Sequence, residues 1–346
     1  MQTAIGFGGV GATPDWAKAA EFVIEAEKLG VDFCWTAETW GFDAATPVGY
    51  LAAKTSKIKL GTGIMQLGSR SPAMLAMTAM SLNSMSNGRF HLGLGASGPQ
   101  VVEGWHGVRF ARTVPRMRDA INIIRMVTRG ERVLYKGEYY ELPLPGGEGK
   151  ALRTSAPPME IPIYLATLGG KSLEVTGELA NGWLGTSFMP DHADVFFDSI
   201  KTGAEKAGKT LKDIDLQAAG GAVQFGDDIE KLVAPRKPGL AFSLGAMGSR
   251  QHNFYNAAYR RAGYEDDAFA VQRTWLEGKR DEAAAMVPDE MVLLTNLIGT
   301  EQMVRERVRK HRDAGVTTLR VQPEGANMAE RLENLGRIVQ IVKEES

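Results

Sequence analysis

Gly6-Phe7-Gly8-Gly9-Val10-Gly11 and Gly93-Leu94-Gly95-Ala96-Ser97-Gly98 both read G-x-G-x-x-G behind a short apolar run, a spacing that lets backbone amides close on a dinucleotide pyrophosphate. That chemistry also demands a full strand before the glycines, a helix opening on the pyrophosphate, and an acid about twenty residues on. The first match has only a stub of strand, Met1 to Ile5, and Pro14-Asp15 puts the helix start outside the motif. Asp32 lies at the right distance but opens its strand instead of ending it. The second match follows a better strand, Arg89 to Leu94, yet Pro99 succeeds Gly98 and the acid at the right distance, Asp119, falls in a helical pattern. Neither match is expected to hold a dinucleotide in the Rossmann manner.

Denser chemistry follows the second match, where Gln100, Glu103, Trp105 and His106 crowd one turn. Indole plus imidazole suits a flat ring or a general acid. Each also has a plain use: Trp105 as packing under a hairpin, Glu103 as a cap. Thr167-Leu168-Gly169-Gly170-Lys171-Ser172 is the best anion site, because two glycines at a helix start bring backbone amides and the positive end of the dipole to a phosphate, and Lys171 could add a full charge. A second acid, hydroxyl and indole stand together at Glu38-Thr39-Trp40.

Other chemistries lack their residues. There is no H-x-x-x-H or H-E-x-x-H and no carboxylate cluster at ligand spacing, so no metal is expected. Neither a G-x-S-x-G elbow nor a G-x-x-x-x-G-K-[ST] loop occurs. Met65, Met74, Met77, Met80 and Met85 read as core filling, with a soft wall for a flavin-like ring as the minority reading. His91 reads as core or solvent-facing, and Cys34 as a small buried hydrophobe.

Positioning these residues falls to a chain in which short apolar runs alternate with helical patterns. Strands are expected at Ala4 to Gly8, Val31 to Thr36, Ile58 to Met65, Phe90 to Leu94, Ile161 to Ala166, Gly182 to Thr186, Ile214 to Phe225 and Thr317 to Gln322. Helices between them include Asp15 to Leu29, Pro72 to Met85, Arg116 to Thr128 and Lys171 to Ala180. About eight such units predict a single α/β domain over 1–346, a (β/α)8 TIM-type barrel, with a doubly wound sheet as the alternative. Two insertions interrupt it. Residues 130–157 read as a β-hairpin and a Pro/Gly-rich loop. Residues 226–296 read as a helical excursion over one barrel end, whose Phe242, Phe254, Tyr255, Tyr259 and Trp275 supply either core or part of a substrate pocket. In such a barrel, reacting groups stand at the carboxyl ends of strands. Those ends are Gly8, Glu38-Thr39, Gly63 to Gln66, Ser97 to Gln100 and Thr167 to Gly170.

A net charge of -1 over 346 residues, with no basic stripe, argues against nucleic acid and anionic membrane as partners. A single cysteine, the lack of a signal-like start and the lack of a long apolar run point to a cytoplasmic protein that binds a small molecule.

The segments Ile58 to Ile64, Arg89 to Gly107, and Pro288 to Val292 ahead of Ile298-Gly299-Thr300 resemble the luciferase-like monooxygenase superfamily, most closely its actinobacterial branch that uses coenzyme F420, a deazaflavin. The resemblance implies a TIM-type barrel with insertions, a cofactor ring in its mouth, hydride transfer and a homodimer. It further implies a bulge with a non-proline cis peptide at Gly63-Ile64 behind the ring, a phosphate loop at Thr167, Leu168, Gly169 and Gly170, and ring-facing positions at Glu38, Thr39 and Ser97. Gly8 and Gln100 complete the expected cofactor shell. Sugar-phosphate dehydrogenases of the family carry a His where this chain has Thr39 and a Glu where it has Gly98, so glucose 6-phosphate oxidation is not expected. A reductase of an activated double bond or imine needs less proton chemistry, and Glu38, Thr39, Glu103 and His106 are its candidate catalytic residues. An FMN-dependent monooxygenase and a non-enzymatic binding barrel are the other readings.

Overall fold

The structure, a computed structural model, describes residues 1–7, 15–248 and 253–346. Its barrel strands are β1 (Gln2–Phe7), β2 (Phe33–Thr36), β3 (Lys59–Thr62), β4 (Phe90–Gly95), β5 (Ile163–Ala166), β6 (Gly182–Leu184), β7 (Asp215–Phe225) and β8 (Thr318–Pro323). Each pairs in parallel with the next, and β8 returns to β1 with Gln2 opposite Thr318 and Ile5 opposite Val321. Closure removes the doubly wound alternative, since an open sheet would leave two edges. Local signals set the surrounding helices. Asp15 caps Trp16–Leu29 by accepting from the Lys18 amide at 3.1 Å, and Gly30 ends it at φ +89°. Ser71 caps Pro72–Met85 in the same way through the Met74 amide.

Inside the barrel, aromatic rings fill the lower layers. Phe33 and Trp35 stack at 5.7 Å, with Tyr164 and His91 edge-on or tilted around them. Inward glycines make this possible: a methyl group at Gly61 would stand 2.3 Å from the Trp35 ring, and one at Gly182 2.1 Å from that of Tyr164. Space for a ligand is thereby confined to the carboxyl ends.

Two acids raised by the Rossmann test serve the scaffold. Asp32 accepts from the Thr3 amide at 2.8 Å, tying β1 to the start of β2. Asp119, buried on helix Thr113–Thr128, accepts from the Tyr135 hydroxyl and from the Tyr139 and Tyr140 amides, which pins the hairpin Tyr135–Lys136 with Glu141–Leu142. The expected strand Ile58 to Met65 is broken into β3 and Met65–Gln66 by a cis Gly63-Ile64 peptide. The excursion is helical as expected, from Ile229–Val233 to Asp289–Leu294, with its own core around Leu244, Tyr259, Val271 and Met291. Strand Leu297–Gly299, paired with the end of β7, and helix Glu301–Asp313 lie where the sequence shows only one long helical stretch.

Candidate functional site

A cavity of about 800 Å³ opens at the carboxyl ends of the strands. That is within the usual range for a small-molecule site. Of the expected cofactor shell, Thr39, Gly63, Ile64, Ser97, Gln100, Thr167, Leu168, Gly169 and Gly170 line it, as does Glu38. Gly8 lies outside the described residues.

The second glycine motif is explained by this wall. A methyl group at Gly93 would fall 1.8 Å from the Thr62 carbonyl oxygen, and one at Gly95 would come within 3.0 Å of Ile64 Cδ1. These glycines admit the bulge between β3 and Met65–Gln66, which sets Ile64 into the cavity. Ser97 takes the left-handed conformation at φ +61° as the chain turns from β4 into the short helix Pro99–Val102.

Glu38 lines the cavity, but its carboxylate is engaged elsewhere. Oε1 accepts from the Gln66 amide at 2.9 Å and from Arg70 Nη1, while Oε2 accepts from Arg70 Nη2 at 3.0 Å and the Ala44 amide at 3.1 Å. With the Gln66 side chain donating to the Thr39 carbonyl at 2.9 Å, the group rivets the end of β2 to the bulge. Each Glu38 oxygen thus already accepts from two donors.

Glu103 and His106, expected beside the ligand, are absent from the cavity wall. Glu103 is exposed and accepts from the Phe110 amide at 2.9 Å, the capping use foreseen for it but applied to a loop. Trp105 stands 67% exposed and packs under no hairpin. Helix Pro99–Val102 turns these side chains away from the mouth, and only Gln100 remains on the wall, with Nε2 donating to the Gly248 carbonyl. The methionines of residues 65–85 do not face the cavity either; Met117 and Met247 do.

At the fifth turn, Gly169 opens helix Gly170–Leu179 with no side-chain cap, leaving first-turn amides for an incoming acceptor. The Thr167 hydroxyl is bonded to that of Thr176 at 2.7 Å, so it shapes the turn without reaching a ligand. Lys171 points to Glu174 at 2.8 Å with its side chain 80% exposed. The donors left open at this turn are thus backbone amides and not the lysine.

Sequence reasoning missed Arg320. It sits on β8, inward like Thr318 by strand alternation, and burial pulls its guanidinium down to about 10. The period-two pattern was the signal available. Tyr255, Phe242 and Phe254 of the excursion also line the cavity, whereas Tyr259 and Trp275 belong to the excursion's packing. Among the described residues, no cluster of His, Cys, Asp and Glu could hold a metal, and no helix is long and apolar enough to cross a membrane.

Residues 2–318 match the family described as luciferase-like monooxygenase. The chain belongs to this family. Among its luciferase-like relatives, a Mycobacterium tuberculosis protein classed as a coenzyme F420-dependent oxidoreductase is 37% identical over 98% of this chain and 99% of its own length. The 5,10-methylenetetrahydromethanopterin reductase of Archaeoglobus fulgidus is 29% identical over 89% of this chain and 91% of its own. In fold, the luciferase-like barrel matches the solved coenzyme F420-dependent tetrahydromethanopterin reductase of Methanopyrus kandleri with a TM-score of 0.81 at 22% identity, covering 99% of this chain and 98% of the other.

Proposed function

We propose that this luciferase-like barrel is a coenzyme F420-dependent oxidoreductase, a single-domain cytoplasmic enzyme that moves a hydride between the deazaflavin and a small organic substrate as a reductase. The observation that carries the reading is one cavity with an uncapped helix N-terminus at Gly169-Gly170 and an apolar wall at the Gly63-Ile64 bulge. This donor set fits a cofactor that joins a phosphate to a flat ring. The names of the Mycobacterium tuberculosis and Archaeoglobus fulgidus relatives support F420 over FMN.

When bound, F420 supplies a ring carbon that gives or takes hydride. The chain's own residues do the rest. First-turn amides of helix Gly170–Leu179 would hold the phosphate, Ile64 would offer the ring an apolar wall, and the Glu38–Arg70 pair keeps the bulge in place. Phe110, Val114 and Met117 exclude water from the wall. With Glu38 engaged and Glu103 and His106 elsewhere, the Tyr255 hydroxyl is a wall group able to pass a proton. Homodimer formation is supported by the exposed Met74, Met77 and Met85 on helix Pro72–Met85, an apolar face unusual for free surface.

Titrating the protein with F420 and with FMN while following tryptophan fluorescence tests the reading. F420 is expected to bind at micromolar concentration or below, and binding of FMN alone overturns it. Gly169→Asp isolates the turn, because a Cβ there meets nothing closer than Ser172 Oγ at 3.8 Å. Its cost, about tenfold or more in F420 affinity, is then electrostatic and not steric.

A further inference from the structure

Among the described residues, the charged ones on the cavity wall are Glu38, Lys171 and Arg320. Glu38 is neutralised by Arg70, and Lys171, its side chain 80% exposed to water, shares Glu174 with Lys206. Arg320 has no carboxylate partner among the described residues, and segments 8–14 and 249–252 contain no aspartate or glutamate that could supply one. Its one bond to the described residues runs from Nη2 to the Gly185 carbonyl, and Nε is sealed from solvent without an acceptor. Tyr255 stands close enough for the guanidinium to offset part of the burial that raises its phenol. Arg320 is half-buried with its Nε enclosed, and a cation desolvated in this way without a counter-charge is costly unless a ligand completes it.

We propose that Arg320, with the Tyr255 hydroxyl beside it, receives a carboxylate of the substrate, so that the enzyme acts on small unsaturated organic acids. This rests on the reading of the cavity as a reductase site. The cofactor phosphate is not the counter-charge in this assignment. The turn that suits it follows β5, three strands round the barrel from β8. A planar guanidinium with free donors matches a carboxylate in geometry, and such charge-assisted bonds discriminate acid from neutral amide.

The acid and amide titrations use the intact protein without cofactor, so their outcome does not depend on whether F420 or FMN binds. Crotonate and crotonamide are titrated by calorimetry and by thermal shift. Crotonate is expected to bind about tenfold or more tighter than crotonamide. Arg320→Met is expected to abolish that preference with Tm kept or raised, as removing an uncompensated buried charge implies; Arg320→Lys keeps the charge and retains part of the preference. Tyr255→Phe is expected to weaken crotonate several-fold. Equal binding of acid and amide overturns the proposal, as does a preference that survives in Arg320→Met. A tenfold loss of F420 affinity in Arg320→Met, measured without acid, would reassign the guanidinium to the cofactor and overturn it too.

Discussion

At the amino ends of the strands, Asp215 accepts from Tyr164 at 2.9 Å, Gln217 at 2.7 Å and Thr318 at 2.9 Å, as well as from Thr317, while Gln217 in turn accepts from the Trp35 indole at 3.0 Å. At the carboxyl ends, Arg320 Nε lacks an acceptor among the described residues and helix Gly170–Leu179 lacks a side-chain cap. The floor spends its polar groups on one another and gains rigidity. The mouth withholds them, which costs stability and leaves donors for ligand. Substitutions at the two ends should therefore fail in different ways, the floor through stability and the mouth through binding.

The sharpest test lies where the mouth follows the floor's rule. Arg70→Met strands the buried Glu38 carboxylate, and a loss of about 3 to 5 kcal/mol is expected by chemical denaturation. A loss below 1 kcal/mol would mean that the rivet is not what holds the bulge. On the floor, Gly182→Ala drives a methyl group into the Tyr164 ring and should cost about 2 to 3 kcal/mol with cofactor affinity conserved in the molecules that fold.

His91 breaks the comparison in pH. Burial among Phe33, Trp35 and Tyr164 lowers its imidazole to about 4. The unfolded chain takes up the proton first, near pH 6.5, so stability is complete above that pH and falls as pH drops toward 4, by about 3 kcal/mol. Denaturation curves across this window should flatten in part in His91→Gln, the remainder belonging to His311, whose imidazole is likewise lowered by burial to about 4. The smallest effect is expected at Glu103→Gln, which weakens one exposed loop contact. It should cost about 1 kcal/mol or less and leave F420 affinity within about twofold; a larger change in affinity would return Glu103 to the site.

Local signals made much of the scaffold legible. Ser71-Pro72 opens and Met85 closes a helix as expected, and Gly30 stops another by adopting a conformation that glycine tolerates. Leu297–Gly299 escaped because three residues carry no period to read. In the site, the fifth turn was legible from two glycines before a helix, whereas Glu103 and His106 were overcounted. Adjacency in sequence to a strand end does not say which way a following helical turn points its side chains.

The sequence by itself determined the eight-unit alternation, the helix caps and, for Gly93 to Gly98, the failure of a Rossmann fingerprint, while most of the first glycine motif lies outside the described residues. These depend on residues near one another in the chain, whose periodicity and backbone preferences act locally. Only the tertiary structure decided that Glu38 is consumed by Arg70, that Gly93 and Gly95 make room for a bulge from another strand, and that Arg320 stands without a counter-charge. Those facts concern the pairing of groups far apart in sequence, and charge compensation exists only once the closed barrel has brought, or failed to bring, the partners together.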